Sequence, residues 1–269
     1  MKWRFSLFFL AVVFVSLALH VHQASGAAYV AKTIHVDLDG RGDFRTIQEA
    51  INSVPANNNR WIRIHVSAGV YREKVNIKED QGFILLEGDG RANTVIEWGD
   101  YSGDPWKHDT FTSATFTSWA NNFVAKNITF KNGASNVGQA VAASVGGNHT
   151  AFHGCGFVGV QDTLFDRSGL HYFKECYIEG AVDFIFGSGQ SIYEGCTIRT
   201  VERSGYVTAQ GRQSPTEENG FVFKHCLVTG TQKAGLGRAW GRHARVIFYE
   251  TFMSDIVRPK GWHVWHGNK

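Results

Sequence analysis

The chain has 269 residues, 43% hydrophobic and 19% charged, with a net charge of +3, a balance that fits a globular protein with an extensive core. Lys and Arg are scattered, so no stretch reads as a nucleic-acid patch and no nucleic-acid partner is expected. Thirty glycines against four prolines suit many short strands joined by tight turns.

At the N-terminus, Lys2 and Arg4 precede an apolar run from Phe5 to Leu19, short for a membrane span, and small residues follow at Ala24–Ala27. This is the layout of a secretory signal peptide over residues 1–26, which implies a secreted, extracellular protein without a membrane anchor. Next, Ile47, Ala50, Ile51 and Val54 share one helical face, and Pro55 ends the pattern. That short amphipathic helix is placed to cap an open end of the fold. Trp61–Val66 alternates as a strand, and 75–77, 83–86 and 94–96 are further strands. No linker or composition break divides residues 33–269, which are read as one domain.

Four cysteines, Cys155, Cys176, Cys196 and Cys226, set a repeat. Three residues before them stand Phe152, Phe173, Tyr193 and Phe223; two after stand Phe157, Ile178, Ile198 and Val228. The frame extends upstream to Asn127, flanked by Val124 and Thr129, and downstream to Thr251, flanked by Phe248 and Met253. Units of this length that cannot bury their own apolar face must stack, and short strands without intervening helical pattern predict an all-β solenoid, a parallel β-helix. No cysteine lies in a CxxC pair and no histidine cluster has zinc-ligand spacing, so neither metal nor cofactor is expected.

In this frame Asp162 lies seven residues after Cys155 and Asp183 seven after Cys176. Neighbouring strands are about 4.8 Å apart, so equivalent positions in successive coils bring the two carboxylates together. Two carboxylates this close do not ionise independently, and one keeps its proton. The pair can therefore divide into nucleophile and general acid/base. Each aspartate alone would read as a turn former; aligned, with Gln161 beside one and Phe184–Phe186 beside the other, they read as a catalytic pair.

The chain resembles the plant-type pectinesterases (pectin methylesterases) in Gly69–Glu73 (GVYRE), Gly138–Ala142 (GQAVA), Gly159–Leu164 (GVQDTL), Asp183–Gly187 (DFIFG) and Leu236–Trp240 (LGRAW). These motifs occur in family order over about residues 33–266. The resemblance implies a right-handed parallel β-helix and hydrolysis of the C6 methyl esters of galacturonate units in pectin, without cofactor. It implies Asp183 as nucleophile and Asp162 as the acid that protonates methanol and then the base that activates water. Gln139 and Gln161 are implied as oxyanion donors, Arg238 as the partner that orients Asp183, and Thr110, Gln139, Phe186, Arg238 and Trp240 as substrate contacts. It also implies a disulfide between Cys176 and Cys196, methyl-esterified pectin as partner in the cell wall, and a proteinaceous pectinesterase inhibitor as a second partner. Nothing in the sequence requires more than a monomer. Asn127 and Asn148 begin glycosylation sequons. Asn127 is expected to face inward unmodified, and Asn148, beside Gly146–Gly147, to be the acceptor.

The chain departs from the family in Ala239, where Leu-Gly-Arg-Pro-Trp is usual, which loosens the loop carrying Arg238 and Trp240 by several tenths of a kcal/mol. Gly261–Trp265 matches the family's Gly-Trp-x-x-Trp, but the chain stops four residues later. The expected consequence is apolar surface left uncovered near that end. No inhibitor-like region precedes the domain, so self-inhibition is not expected. Paired aspartates also hydrolyse glycosidic bonds, which keeps a pectin depolymerase open, and a non-catalytic pectin-binding relative is the second alternative.

Overall fold

A computed structural model describes residues 29–135 and 137–265; the signal-peptide expectation for residues 1–26 lies outside them. Contacts divide the chain into Met1–Val30 and Ala31–Lys269, and the architecture is that of the second unit. Among the described residues no helix is long and apolar enough to cross a membrane.

The unit is a right-handed parallel β-helix built from three sheets of nine, eight and eight strands, each pairing a strand of one coil with its equivalent in the next. One coil runs through Thr150–His153, Gly156–Val158 and Leu164–Asp166 before Leu170–Lys174 returns to the first sheet. The expected strands at the N-terminal end form at Trp61–Val66, Val75–Ile77, Ile84–Gly88 and Thr94–Trp98. The expected helix, α1, spans Ile47–Asn52, buries Ile47, Ala50 and Ile51, and contacts Trp61–Val66 and Val75–Ile77. Thr46 caps it: its Oγ1 accepts from Glu49 N at 3.2 Å. Glu73 accepts from Ile47 N at 2.8 Å and Gln48 N at 2.9 Å, placing a carboxylate where the first helical amides point.

The lumen is filled by ladders of like side chains. Phe152, Phe173, Tyr193, Phe223 and Phe248 stack with centroid spacings of 4.5–5.0 Å. These spacings match the coil rise and give the offset-stacked geometry aromatic rings prefer. The cysteines form a second ladder.

Two sequence expectations are corrected here. All four cysteines are free and buried, so the implied Cys176–Cys196 disulfide is not present. The Sγ of Cys176, Cys196 and Cys226 instead donate to the carbonyls of Phe152, Phe173 and Tyr193, one coil back, at 3.5, 3.4 and 3.3 Å. Each thiol is thus engaged along the solenoid. Asn127, in turn, is not an inward residue. Phe152 pairs with Ala125 and Gly156 with Thr129, so Ile128, fully buried, occupies the cysteine position and the upstream frame slips by one. Asn127 sits exposed at φ 54°, in the left-handed corner that Gly154, Glu175, Gly195 and His225 fill in later coils. Burial therefore does not distinguish the two sequons, since Asn148 is exposed as well. Its Oδ1 accepts from Leu170 N at 3.2 Å.

A second buried network binds adjacent coils. Asp166 Oδ1 meets His171 Nδ1 at 2.6 Å, Asp166 Oδ2 accepts from Tyr193 at 2.7 Å, and His171 Nε2 lies 2.8 Å from Gly147 O. Both ring nitrogens face acceptors, so the ring is a full donor only as imidazolium. Burial alone would lower the His171 pKa, but the Asp166 charge and the hydrogen bonds outweigh it and the net shift is upward.

Around the last coil, Phe252 and Val264 are 67% and 65% exposed.

Candidate active site

The site forms on the outer face of the eight-stranded sheet that contains Leu164–Asp166 and Ile185–Gly187. In those strands Leu164 and Ile185 point into the lumen while Phe165 and Phe186 point out. The outward rings stack at 4.5 Å and 6° and join Ala209, Val141 and Ala114 in an apolar cluster outside the solenoid, with Trp240 and Trp265 packed on it. This aromatic floor keeps water off one side of the cleft.

The loops entering the two strands carry the aspartates. Gln139, Gln161 and Val182 bridge in register and Asp162 N donates to Val182 O at 3.0 Å, so Asp162 and Asp183 occupy equivalent places in successive coils, as the cysteine frame predicts. Both lie in the left-handed region, at φ 62° and 48°. Non-glycine residues other than Asn and Asp seldom adopt this conformation. They are 9% and 4% exposed and line a cleft of about 170 Å³ with Thr110, Gln139, Phe186 and Trp240. A groove of about 570 Å³ on the nine-stranded sheet is larger, but no in-register carboxylate pair lines it.

Electrostatics separates the two acids. Arg238 Nε donates to Asp183 Oδ1 at 2.9 Å and Oδ2 at 3.0 Å, and its Nη2 donates to Oδ2 as well. Burial raises the Asp183 pKa, and the hydrogen bonds and charge of Arg238 offset only part of that rise, leaving a net upward shift. Asp162 has no such partner: burial, reinforced by the charge of Asp183, pushes it well above the usual carboxylate range, with Arg238 opposing weakly from farther off. The result is one oriented, charge-compensated carboxylate beside one acid that retains its proton.

Every residue expected in the site lines the cleft except Arg238, which reaches it through Asp183, and Gln161. Gln161 stacks beside Gln139 but does not line the cavity; its Oε1 accepts from Arg203 Nη2 at 2.9 Å, which leaves the amide N–H₂ as its free polar end. Sequence reasoning missed Arg203, because a lone Arg in an irregular loop carries no signal. It also missed Trp265, whose ring centroid lies 4.2 Å from the Arg238 guanidinium, and Tyr206, whose centroid lies 5.4 Å from it. The position of Trp265 in Gly261–Trp265 was the available clue.

The Thr110 loop is held from outside the cleft. Asp104 accepts from Trp106 N, His108 N and the His108 ring, while Lys74 bonds Asp100 at 2.6 Å and Thr112 O at 2.8 Å. Asp100, Asp104 and His108 bring three ligand-type atoms within 4.8 Å of one another. Their bonds to each other, to Lys74 and to backbone amides account for that cluster as a clamp on the loop.

The chain is similar in sequence and in fold to known proteins. Probable pectinesterase 29 of Arabidopsis thaliana is 45% identical over 263 residues, covering 92% of this chain and 77% of its own length. The pectin methylesterase from carrot superposes with a TM-score of 0.86 at 33% identity, covering 90% of this chain and 80% of its own. A pectin methylesterase in complex with a hexasaccharide superposes with a TM-score of 0.73 at 28% identity, covering 89% and 82%. The Pectinesterase family itself matches residues 33–269, and the chain belongs to that family.

Proposed function

We propose that this pectinesterase hydrolyses the C6 methyl esters of galacturonate units in pectin through an acyl-enzyme on Asp183. The observation that carries the mechanism is the unequal pair: in-register carboxylates of which only Asp183 is bonded to Arg238. A carboxylate is a weak nucleophile unless it is desolvated, oriented and kept charged, and burial with the Arg238 fork supplies these conditions. Its Oδ adds to the ester carbonyl, and the resulting oxyanion takes hydrogen bonds from the amides of Gln139 and Gln161, each worth roughly 3–4 kcal/mol in comparable oxyanion holes. Arg203, holding Gln161 Oε1, orients that amide to donate.

The C–OMe bond breaks as Asp162 delivers its proton to the departing oxygen, releasing methanol and leaving a mixed anhydride on Asp183. Ionised Asp162 then takes a proton from water, the hydroxide adds to the acyl carbon, and Asp183 departs as carboxylate. Trp240, Phe186 and Thr110 hold the sugar over the pair. A methyl-esterified pectin chain, a monomeric enzyme, a proteinaceous pectinesterase inhibitor and an extracellular, cell-wall setting complete the reading, with Asn148 as the glycan acceptor.

Methanol release from methyl-esterified pectin by wild type and Asp183→Asn tests it. Release by wild type alone is expected. Equal release by both would remove Asp183 as nucleophile, and chain shortening without methanol would favour a depolymerase.

A further inference from the structure

Arg167 lies two residues beyond Phe165 in the coil of Asp162. Its guanidinium sits over three aromatic rings, 4.5 Å from the centroid of Trp119 and 5.5 Å from those of Phe111 and Phe165. Phe111 stacks on Phe165 at 5.2 Å and Phe165 on Phe186, so one aromatic row runs from Arg167 to the catalytic cleft. At its far end Arg238 is also held over aromatics but is saturated by Asp183. Among the described residues, no carboxylate pairs with Arg167.

The unpaired guanidinium lines a second cavity of about 350 Å³, which shares Phe111 with the catalytic cleft. Its other walls include Ser144, Thr117 and Asn76, the outward residues that continue the row of Phe186 and Phe165 through the next three coils. At about 4.8 Å per coil, Ser144 and Thr117 stand roughly 10 and 14 Å from Phe186 along the solenoid. That places the cavity beside a neighbouring unit of any polymer lying in the cleft. Lys74 also lines it, but Asp100 at 2.6 Å compensates its charge.

We infer that this second cavity is a carboxylate subsite, in which Arg167 binds the free C6 carboxylate of an already de-esterified unit while a methyl ester of the same chain lies at Asp183. The inference rests on the pectinesterase reading above. A guanidinium presents a planar pair of N–H donors that matches a carboxylate and makes charge-assisted bonds that a neutral methyl ester cannot match. The three rings hold the fork in place and exclude water on its stacked faces, so little side-chain freedom is lost on binding. Hydrolysis at one unit would then create the anion that anchors the chain for the next.

Calorimetric titration with fully de-esterified hexagalacturonate, which is not turned over, tests the subsite without relying on methanol release. Arg167→Gln is expected to weaken binding by about tenfold or more, the scale of one hydrogen-bonded charge, and to flatten its salt dependence. Arg167→Lys, which keeps the charge and loses the fork, is expected to fall between. On fully methyl-esterified hexamer, kcat and KM of Arg167→Gln should stay within about twofold of wild type, which also reports an intact fold. Unchanged affinity for the de-esterified hexamer in both variants, or equal losses on the two hexamers, would overturn the subsite. A wild type that binds the hexamer through Arg167 yet releases no methanol from esterified pectin would overturn the esterase reading alone.

Discussion

Replacing Arg238 with methionine isolates the electrostatic step of the mechanism. The guanidinium makes three hydrogen bonds to one carboxylate, and the side chains are 18% and 6% exposed. Removing one partner of so buried a pair costs about 3–5 kcal/mol, or roughly two to three and a half decades in kcat/KM if the loss falls on the ionised nucleophile. The pH profile separates this cause from lost substrate contact. Asp183 acts ionised, so activity falls as pH drops through its pKa; Asp162 acts protonated, so activity falls as pH rises through its own. Arg238 lowers both pKa values. Without it both limbs of the methanol-release profile should move to higher pH, while Arg238→Lys, keeping charge but losing the fork, should lose about tenfold with a smaller displacement. A profile that stays in place with only KM raised would refute the orienting role and leave Arg238 a substrate contact.

Four further outcomes follow from the structure. The His171–Asp166 pair is a protonated-state device: the folded His171 pKa is raised above 6.5, so its stabilisation is complete below that value and is lost as pH rises through the folded pKa. Melting temperature should therefore fall on the alkaline side in wild type and lose that dependence in Asp166→Asn, which should itself cost about 3 kcal/mol or more; parallel curves would contradict the assignment. Phe173→Ala removes the centre of the lumen stack and should lower stability by about 3–5 kcal/mol in denaturant unfolding, while a loss below 1 kcal/mol would mean the coil collapses around the gap. Thiol titration should find all four cysteines unreactive when folded and all four after denaturation without reductant; two after denaturation would restore the disulfide. Finally, Asp183→Asn should fold more stably than Asp183→Ala by about 1 kcal/mol, because Asn tolerates the φ of 48° and Ala does not; equal melting temperatures would remove the strain argument.

The sequence carried the repeat because lumen positions are chemically uniform: Phe, Phe, Tyr and Phe at one place and four cysteines at the next can be aligned by eye. That alignment was sufficient to stack Asp162 on Asp183. It failed by one residue at Asn127, where the neighbouring coil puts Ala125 and Ile128 in the aromatic and cysteine positions and the polar residue turns the corner. Asn favours that corner for its tolerance of positive φ, a property a hydrophobic pattern does not register. Arg203 and Arg167 were illegible for a different reason. Each acts through residues distant in sequence, Gln161 in one case and Trp119 and Phe111 in the other, and their loops have no repeat to align.

The same register that fills the core thereby sets the chemistry. Phe165 and Phe186 alternate with Leu164 and Ile185, so the strands that bury the lumen also lay down the outer aromatic floor. A slip of one residue in the pairing register between the coils of Cys155 and Cys176 would break the thiol ladder, the aromatic stack and the aspartate pair together. The left-handed corners at Asp162 and Asp183 explain how the chain leaves that register to aim each carboxylate and then resumes it within two residues at Leu164 and Ile185. Arg238, on a strand two coils beyond Asp183, reaches back across Tyr206 to the nucleophile. The division between ionised and protonated acid therefore depends on four successive coils staying in register, and any loosening of the stack should be read first in the pH profile, before the fold is lost.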